Sequence, residues 1–123
     1  MDNEGIIPVL ARAVREVETA AQRGKLKPAN RTKFQVIALL MREERARVKA
    51  DETMPVARRT EELKRLDGIA TILATTAARD ISLLVLLADD AVISDRARSL
   101  RRELLEAAGV EVPPDPAEQP APT

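Results

Sequence analysis

Ile81-Ser82-Leu83-Leu84-Val85-Leu86-Leu87-Ala88 is the most apolar run in the chain, and its conformation decides the fold class. A continuous apolar stretch of this length suits a buried strand as well as a buried helix, since periodicity alone does not separate them. Read as a strand, it leads through Asp89-Asp90 and a helix to Gly109 and Val110-Glu111-Val112, a single strand–helix–strand unit. A sheet needs more strands than that, and the sequence before Ile81 is helical in pattern. Asp80 is also a serviceable N-cap. We therefore read Ile81–Ala88 as helix, and on either reading as the most buried piece of the fold. With Arg79-Asp80 just upstream, the run is far short of the ~20 apolar residues that a bilayer helix needs.

Upstream, apolar residues at Ile7, Leu10, Val14, Val17 and Ala21 form a seam at helical spacing, and Gly24 is placed to end that helix. A second helix is expected after Asn30-Arg31-Thr32, where Thr32 and Gln35 have capping-box spacing. Its first half, Phe34 to Met41, is apolar, whereas Arg42 to Glu52 is mostly polar and is expected to protrude with Glu43 and Arg47 paired. A third helix begins near Met54-Pro55 with a stripe of Val56, Leu63, Leu66, Ala70, Leu73 and Ala77, Arg59 occupying the seam position between the first two. Gly68 lies inside it, which a close helix–helix approach would explain. The last helix opens at Ser94-Asp95, buries Leu100, Leu104, Leu105 and Ala108, and closes at Gly109.

These signals give an all-α fold, a bundle of four to five helices over residues 1–111. Residues 112–123, with five of the eight prolines and no large apolar residue beyond Val112, are expected to be a flexible, disordered Pro-rich tail. A chain of 123 residues accommodates one domain of ordinary size, and 45% hydrophobic content is that of a globular protein. With 1% aromatic residues the core has to be aliphatic.

The same inventory limits the chemistry. The chain has no Cys, His, Trp or Tyr, and one Phe. Thiol nucleophiles, proton shuttles at neutral pH and most stacking platforms are absent with them. The carboxylate pairs Glu43-Glu44, Glu61-Glu62 and Asp89-Asp90 are sequence neighbours. On a helix such neighbours diverge by ~100° and do not converge on one substrate. The four glycines are isolated, so there is no phosphate loop. The expectation is a protein that is not an enzyme and takes no cofactor or metal. Absence of cysteine and of a signal-peptide apolar region places it in the cytoplasm. The Ala/Arg/Glu/Leu-rich usage is that of a GC-rich bacterial genome.

What remains is surface. The formal charge is zero, from 20 basic and 20 acidic residues. A module binding duplex nucleic acid mainly through phosphates would carry a basic excess. The reading is a non-catalytic adaptor or regulatory module that binds a protein partner, or a second copy of itself as a dimer, through an exposed helix face. The residues expected at that contact are Arg42, Arg45, Arg47 and Lys49 on the distal half of the second helix, with Arg58 and Arg59 beyond the turn. The alternative is a nucleic-acid-associated regulatory protein, helix-turn-helix-like, in which Arg96, Arg98, Arg101 and Arg102 touch phosphates.

Overall fold

The computed structural model describes residues 5–88 and 90–110, so the expected tail at 112–123, its boundary at 111 and Asp89 of the Asp89-Asp90 pair lie outside the described residues. There are four α-helices, α1 (Ile6–Gln22), α2 (Pro28–Ala50), α3 (Val56–Arg79) and α4 (Asp95–Ala107), the first three joined by short turns and α4 reached through residues 80–94. A 3-10 helix, Ile81–Leu87, lies between α3 and α4, and no strand occurs among the described residues. The all-α expectation therefore holds. The deciding run is helical, but as a 3-10 strap with only Leu83 buried, not as the most buried piece of the molecule.

Helix α2 is the hub and packs against α1, α3, α4 and the strap, while α1 also contacts α3 and α4. Phe34, the chain's one aromatic, is fully buried on α2. Around it lie Leu10, Val14 and Val17 from α1, Ile37 and Leu40 from α2, Leu66 and Leu73 from α3, Leu83, and Ala97 and Leu105 from α4, in a single aliphatic cluster. Both glycine stops operate. Gly24 (φ 66°) and Gly109 (φ 73°) sit just past α1 and α4 in the left-handed region that side-chain-bearing residues avoid. Backbone bonds Gly24 N to Ala21 O (3.1 Å) and Lys25 N to Ala20 O (2.8 Å) close α1. Their counterparts at α4, Gly109 N to Glu106 O and Val110 N to Leu105 O, both 3.0 Å, complete the same Schellman closure. At the other end of α4, Ser94 Oγ accepts from Ala97 N at 3.1 Å.

Four local expectations are corrected. Helix α2 begins at Pro28, a residue suited to a first turn because it lacks the amide that would be orphaned there. Thr32 and Gln35 are thus inside the helix. Thr32 Oγ1 donates to Pro28 O at 3.1 Å instead of capping. The distal half of α2 does not simply protrude, because Glu44 and Val48 are buried there. Glu43 and Arg47 do not pair with each other: Arg47 bonds Glu44, and Glu43 takes Arg101. The α3 stripe starts at Leu63, which packs against the core, since Val56 is 74% exposed.

Gly68 has no close approach to explain it. It is exposed, its φ is not positive, and a Cβ added there meets nothing within 4 Å. Gly68→Ala is therefore expected to stabilise the protein by about 0.5–1 kcal/mol, through helix propensity and a less flexible unfolded chain. A higher urea midpoint with unchanged slope is the measurement. A lower midpoint would mean that the backbone at this position is doing something the helix geometry does not reveal.

Candidate docking surface

The strap owes its form to Asp80. Its Oδ1 accepts from Ser82 N at 3.1 Å and from Ser82 Oγ at 2.6 Å, and its carbonyl accepts from Leu83 N at 2.9 Å, the first 3-10 bond. At three residues per turn, side chains three apart eclipse one another. Ile81, Leu84 and Leu87 therefore form one row, Ser82 and Val85 a second, Leu83 and Leu86 a third. The third row faces the core: Leu83 is fully buried and Leu86 packs against the cluster. The other two rows face outward up to Val85, with Ile81 76%, Val85 70% and Leu84 50% exposed, whereas Leu87 at the end of the first row turns in and packs against the core. Isolated exposed aliphatics are ordinary, whereas several on one short element make it a candidate contact surface.

One polar stripe on α2 holds this segment in place. Arg31 donates to Ser82 Oγ and, at 3.3 Å, to Asp80 Oδ2. Arg42 Nη1 donates to Leu87 O at 2.9 Å. Gln35 Nε2 donates to Val92 O at 2.8 Å and secures the loop that follows. Arg31 and Arg42 are eleven residues apart, ~16 Å along a helix. The seven-residue strap spans ~14 Å at 3-10 rise, so the two arginines grip its two ends and it runs alongside α2.

Next to the strap, Ala38, Met41, Arg42 and Arg45 of α2 and Ala70, Leu73 and Ala74 of α3 line an open groove of about 320 Å³. Leu87 completes the wall, so the outward row of the strap leads into the groove. The surface is aliphatic, with two arginines at its rim.

The carboxyl of Asp80 is held below its ordinary value of 3.8, chiefly by the Ser82 hydroxyl, then by the Ser82 amide and Arg31, with desolvation opposing. A depressed folded-state pKa means that the stabilisation is complete above 3.8 and is lost as pH falls below it. Acidification below pH ~4 should accordingly loosen the strap, and the protection of the Leu83 amide, relative to its intrinsic exchange rate at each pH, should fall more in wild type than in Asp80→Asn. An equal fall in both proteins would assign the acid sensitivity elsewhere.

The structure distributes the arginines expected at a partner contact. Arg42 and Arg45 reach the groove rim, Arg42 as the strap clamp and Arg45 in an ion pair with Asp67. Arg47 bonds the buried carboxylate of Glu44, which raises the guanidinium pKa above its ordinary value, and Arg58 pairs with Glu62 at 3.4 Å. Arg59 is internal to the α2–α3 turn. It donates to the carbonyls of Asp51 and Met54, and its buried Nε has no partner among the described residues. Lys49 is exposed near the end of α2. On α4, Arg98 pairs with Asp95 at 3.0 Å, and Arg101 bonds both Glu43 oxygens at 2.9 and 3.1 Å. Arg96 and Arg102 are exposed on the same helix. The Arg101–Glu43 bond ties the second set to the distal half of α2, with a carboxylate between them. Ile81, Leu84, Val85, Arg31 and Gln35 were not singled out from sequence. The polar residues 31, 35 and 42 flanking an apolar stretch, at intervals of four and seven, were the available signal.

Among the described residues no three acidic side chains gather as a metal site, and no helix is long and apolar enough to cross a membrane. What is present is an α-helical bundle module bearing a short strap. The family model described as the actinobacterial helicase N-terminal four helix bundle matches residues 7–109, and the chain belongs to that family. The bacterial origin read from composition agrees with it. No curated protein and no solved structure matches the chain.

Proposed function

We propose that this bundle is a non-catalytic, cytoplasmic docking module that serves a helicase by binding a protein surface on the helicase motor. The observation carrying this reading is the strap, where Ile81, Leu84 and Val85 are held outward at 50–76% exposure by clamps at both ends. Arg42 and Arg45 at the groove rim would contact the partner's polar margin, while Arg47, Lys49, Arg58 and Arg59 lie around the α2–α3 turn. The family description supplies the helicase. The scarcity of reactive side chains argues for recognition over catalysis.

The nucleic-acid reading draws on that same description. Against it, Arg45, Arg47, Arg58, Arg98 and Arg101 are each already matched to a carboxylate. Removing a cation from its carboxylate offsets part of what a phosphate contact contributes.

The test mixes the full chain with the motor domains of an actinobacterial helicase from a protein carrying such a bundle, followed by sedimentation and calorimetry. An apolar contact predicts a complex that persists in 0.5 M salt, with a negative heat-capacity change. Binding to mixed-sequence DNA that fades steeply with salt, and none to the motor, would establish the other reading. A dimer of the chain alone, blind to the motor, would establish self-association.

A further inference from the structure

A second concavity shares no lining residue with the strap's groove and has a different character. Gly5, Ile6, Ile7 and Pro8 of the α1 start, Glu44 and Arg47 of α2, Arg58, Glu62 and Arg65 of α3, and Val110 line a cleft of about 480 Å³. It is mixed in polarity, and its three guanidiniums are 57%, 68% and 60% exposed. Each is engaged by one carboxylate but keeps donors to spare: Arg58 uses Nε on Glu62, and Arg65 uses Nη2 on Glu61.

Val110 is where α4's closure ends, and the sequence continues Glu111-Val112-Pro113-Pro114-Asp115-Pro116-Ala117-Glu118. This stretch carries three carboxylates and no cation, and the residue before it, Val110, lies on the cleft's wall.

We propose that the cleft between α1, α2 and α3 receives the acidic, proline-rich segment that follows Val110, with Asp115 and Glu118 on Arg58 and Arg65. Three features support this occupant. The lining's three arginines outnumber its two glutamates, Glu44 and Glu62, so the cleft is opposite in sign to the segment although each arginine already has one carboxylate. The reach is sufficient, because polyproline II rises 3.1 Å per residue and carries Glu118 ~25 Å from Val110. The spacing also fits. Asp115 and Glu118 are three residues apart, hence on one edge of a three-fold polyproline II helix and ~9 Å apart. Arg58 and Arg65 are seven apart, hence on one face of α3 and ~10 Å apart. Solvent-exposed pairs are individually weak, but tethering supplies an effective concentration in the millimolar range. Docking of this kind gives the segment a fixed course along the bundle at low ionic strength and releases it at high.

Because the chain has no cysteine, Ala117→Cys provides a unique site for a nitroxide label in the full-length protein. At 20 mM salt the backbone amide signals of residues 58–65 should lose more than half their intensity to the label. They should recover in 0.5 M NaCl, and also in Arg58→Gln/Arg65→Gln at low salt. Uniform signal intensities at low salt, broadening centred on another surface, or broadening that survives both the salt and the double substitution would overturn the proposal. None of these outcomes depends on a helicase partner, so the experiment stands apart from the docking function.

Discussion

Phe34→Ala is expected to cost about 3–5 kcal/mol and to lower the melting temperature by at least ~12 °C. Phe34 is fully buried on α2, the helix that touches every other element. Its ring belongs to the single core cluster to which all four α-helices and the strap contribute, and the chain has no second aromatic that could swing in. The neighbours are Leu, Val, Ile and Ala, whose short side chains reach less far into a vacated volume. The residual cavity therefore adds to the lost transfer energy. Phe34→Leu keeps most of the volume and should cost about 1–1.5 kcal/mol. Since ordinary domains have about 5–15 kcal/mol of stability in total, the alanine variant would sit near the edge of folding at 37 °C. Urea unfolding by circular dichroism is the measurement, and a loss below 1 kcal/mol would show that the bundle collapses around the gap far more readily than close packing permits.

Ile81→Ser/Leu84→Ser/Val85→Ser should produce the opposite pattern, abolishing partner binding with little effect on folding. These side chains are half or more exposed, and the bonds that hold the strap go to Asp80, Ser82 and Leu87 O. Stability should remain within about 0.5 kcal/mol of wild type, as for substitutions away from buried features. Affinity for the helicase motor should fall at least ~100-fold, since three aliphatic anchors at the centre of a contact are lost together. Leu83→Ser is the paired control. It places a hydroxyl in the core at a fully buried position and should unfold the strap, losing binding and stability together. A triple variant that binds the motor normally would move the contact to another surface.

Sequence made the ends of α1 and α4 legible because their stop signals are local: Gly24 and Gly109 past the last turns, Ser94 before the first. The start of α2 was obscured because no side chain caps it. Lys27 is its N-cap residue, and Pro28 serves by lacking an amide, while Thr32 and Gln35 imitate a cap further on. The strap was misjudged for a different reason. Apolar content does not encode direction, and in Ile81–Leu87 the three-residue turn sends Ile81, Leu84 and Val85 outward. The site depends on that geometry and on tertiary bonds from α2, neither of which has a signature within the apolar run. The arginines were visible as charges, but their carboxylate partners are matters of register: Glu44 and not Glu43 for Arg47, Glu43 for Arg101 from 58 residues away.

Arg42 and Gln35 hold their quarry by main-chain oxygens, at Leu87 and Val92, and so are indifferent to which side chains those positions carry. Ile81, Leu84 and Val85 are thereby released from any duty to the scaffold. Under the proposed docking, relatives that keep the anchoring residues would change binding preference at these three positions while inheriting an unaltered frame. In an engineered series, these three positions are the natural ones to randomise.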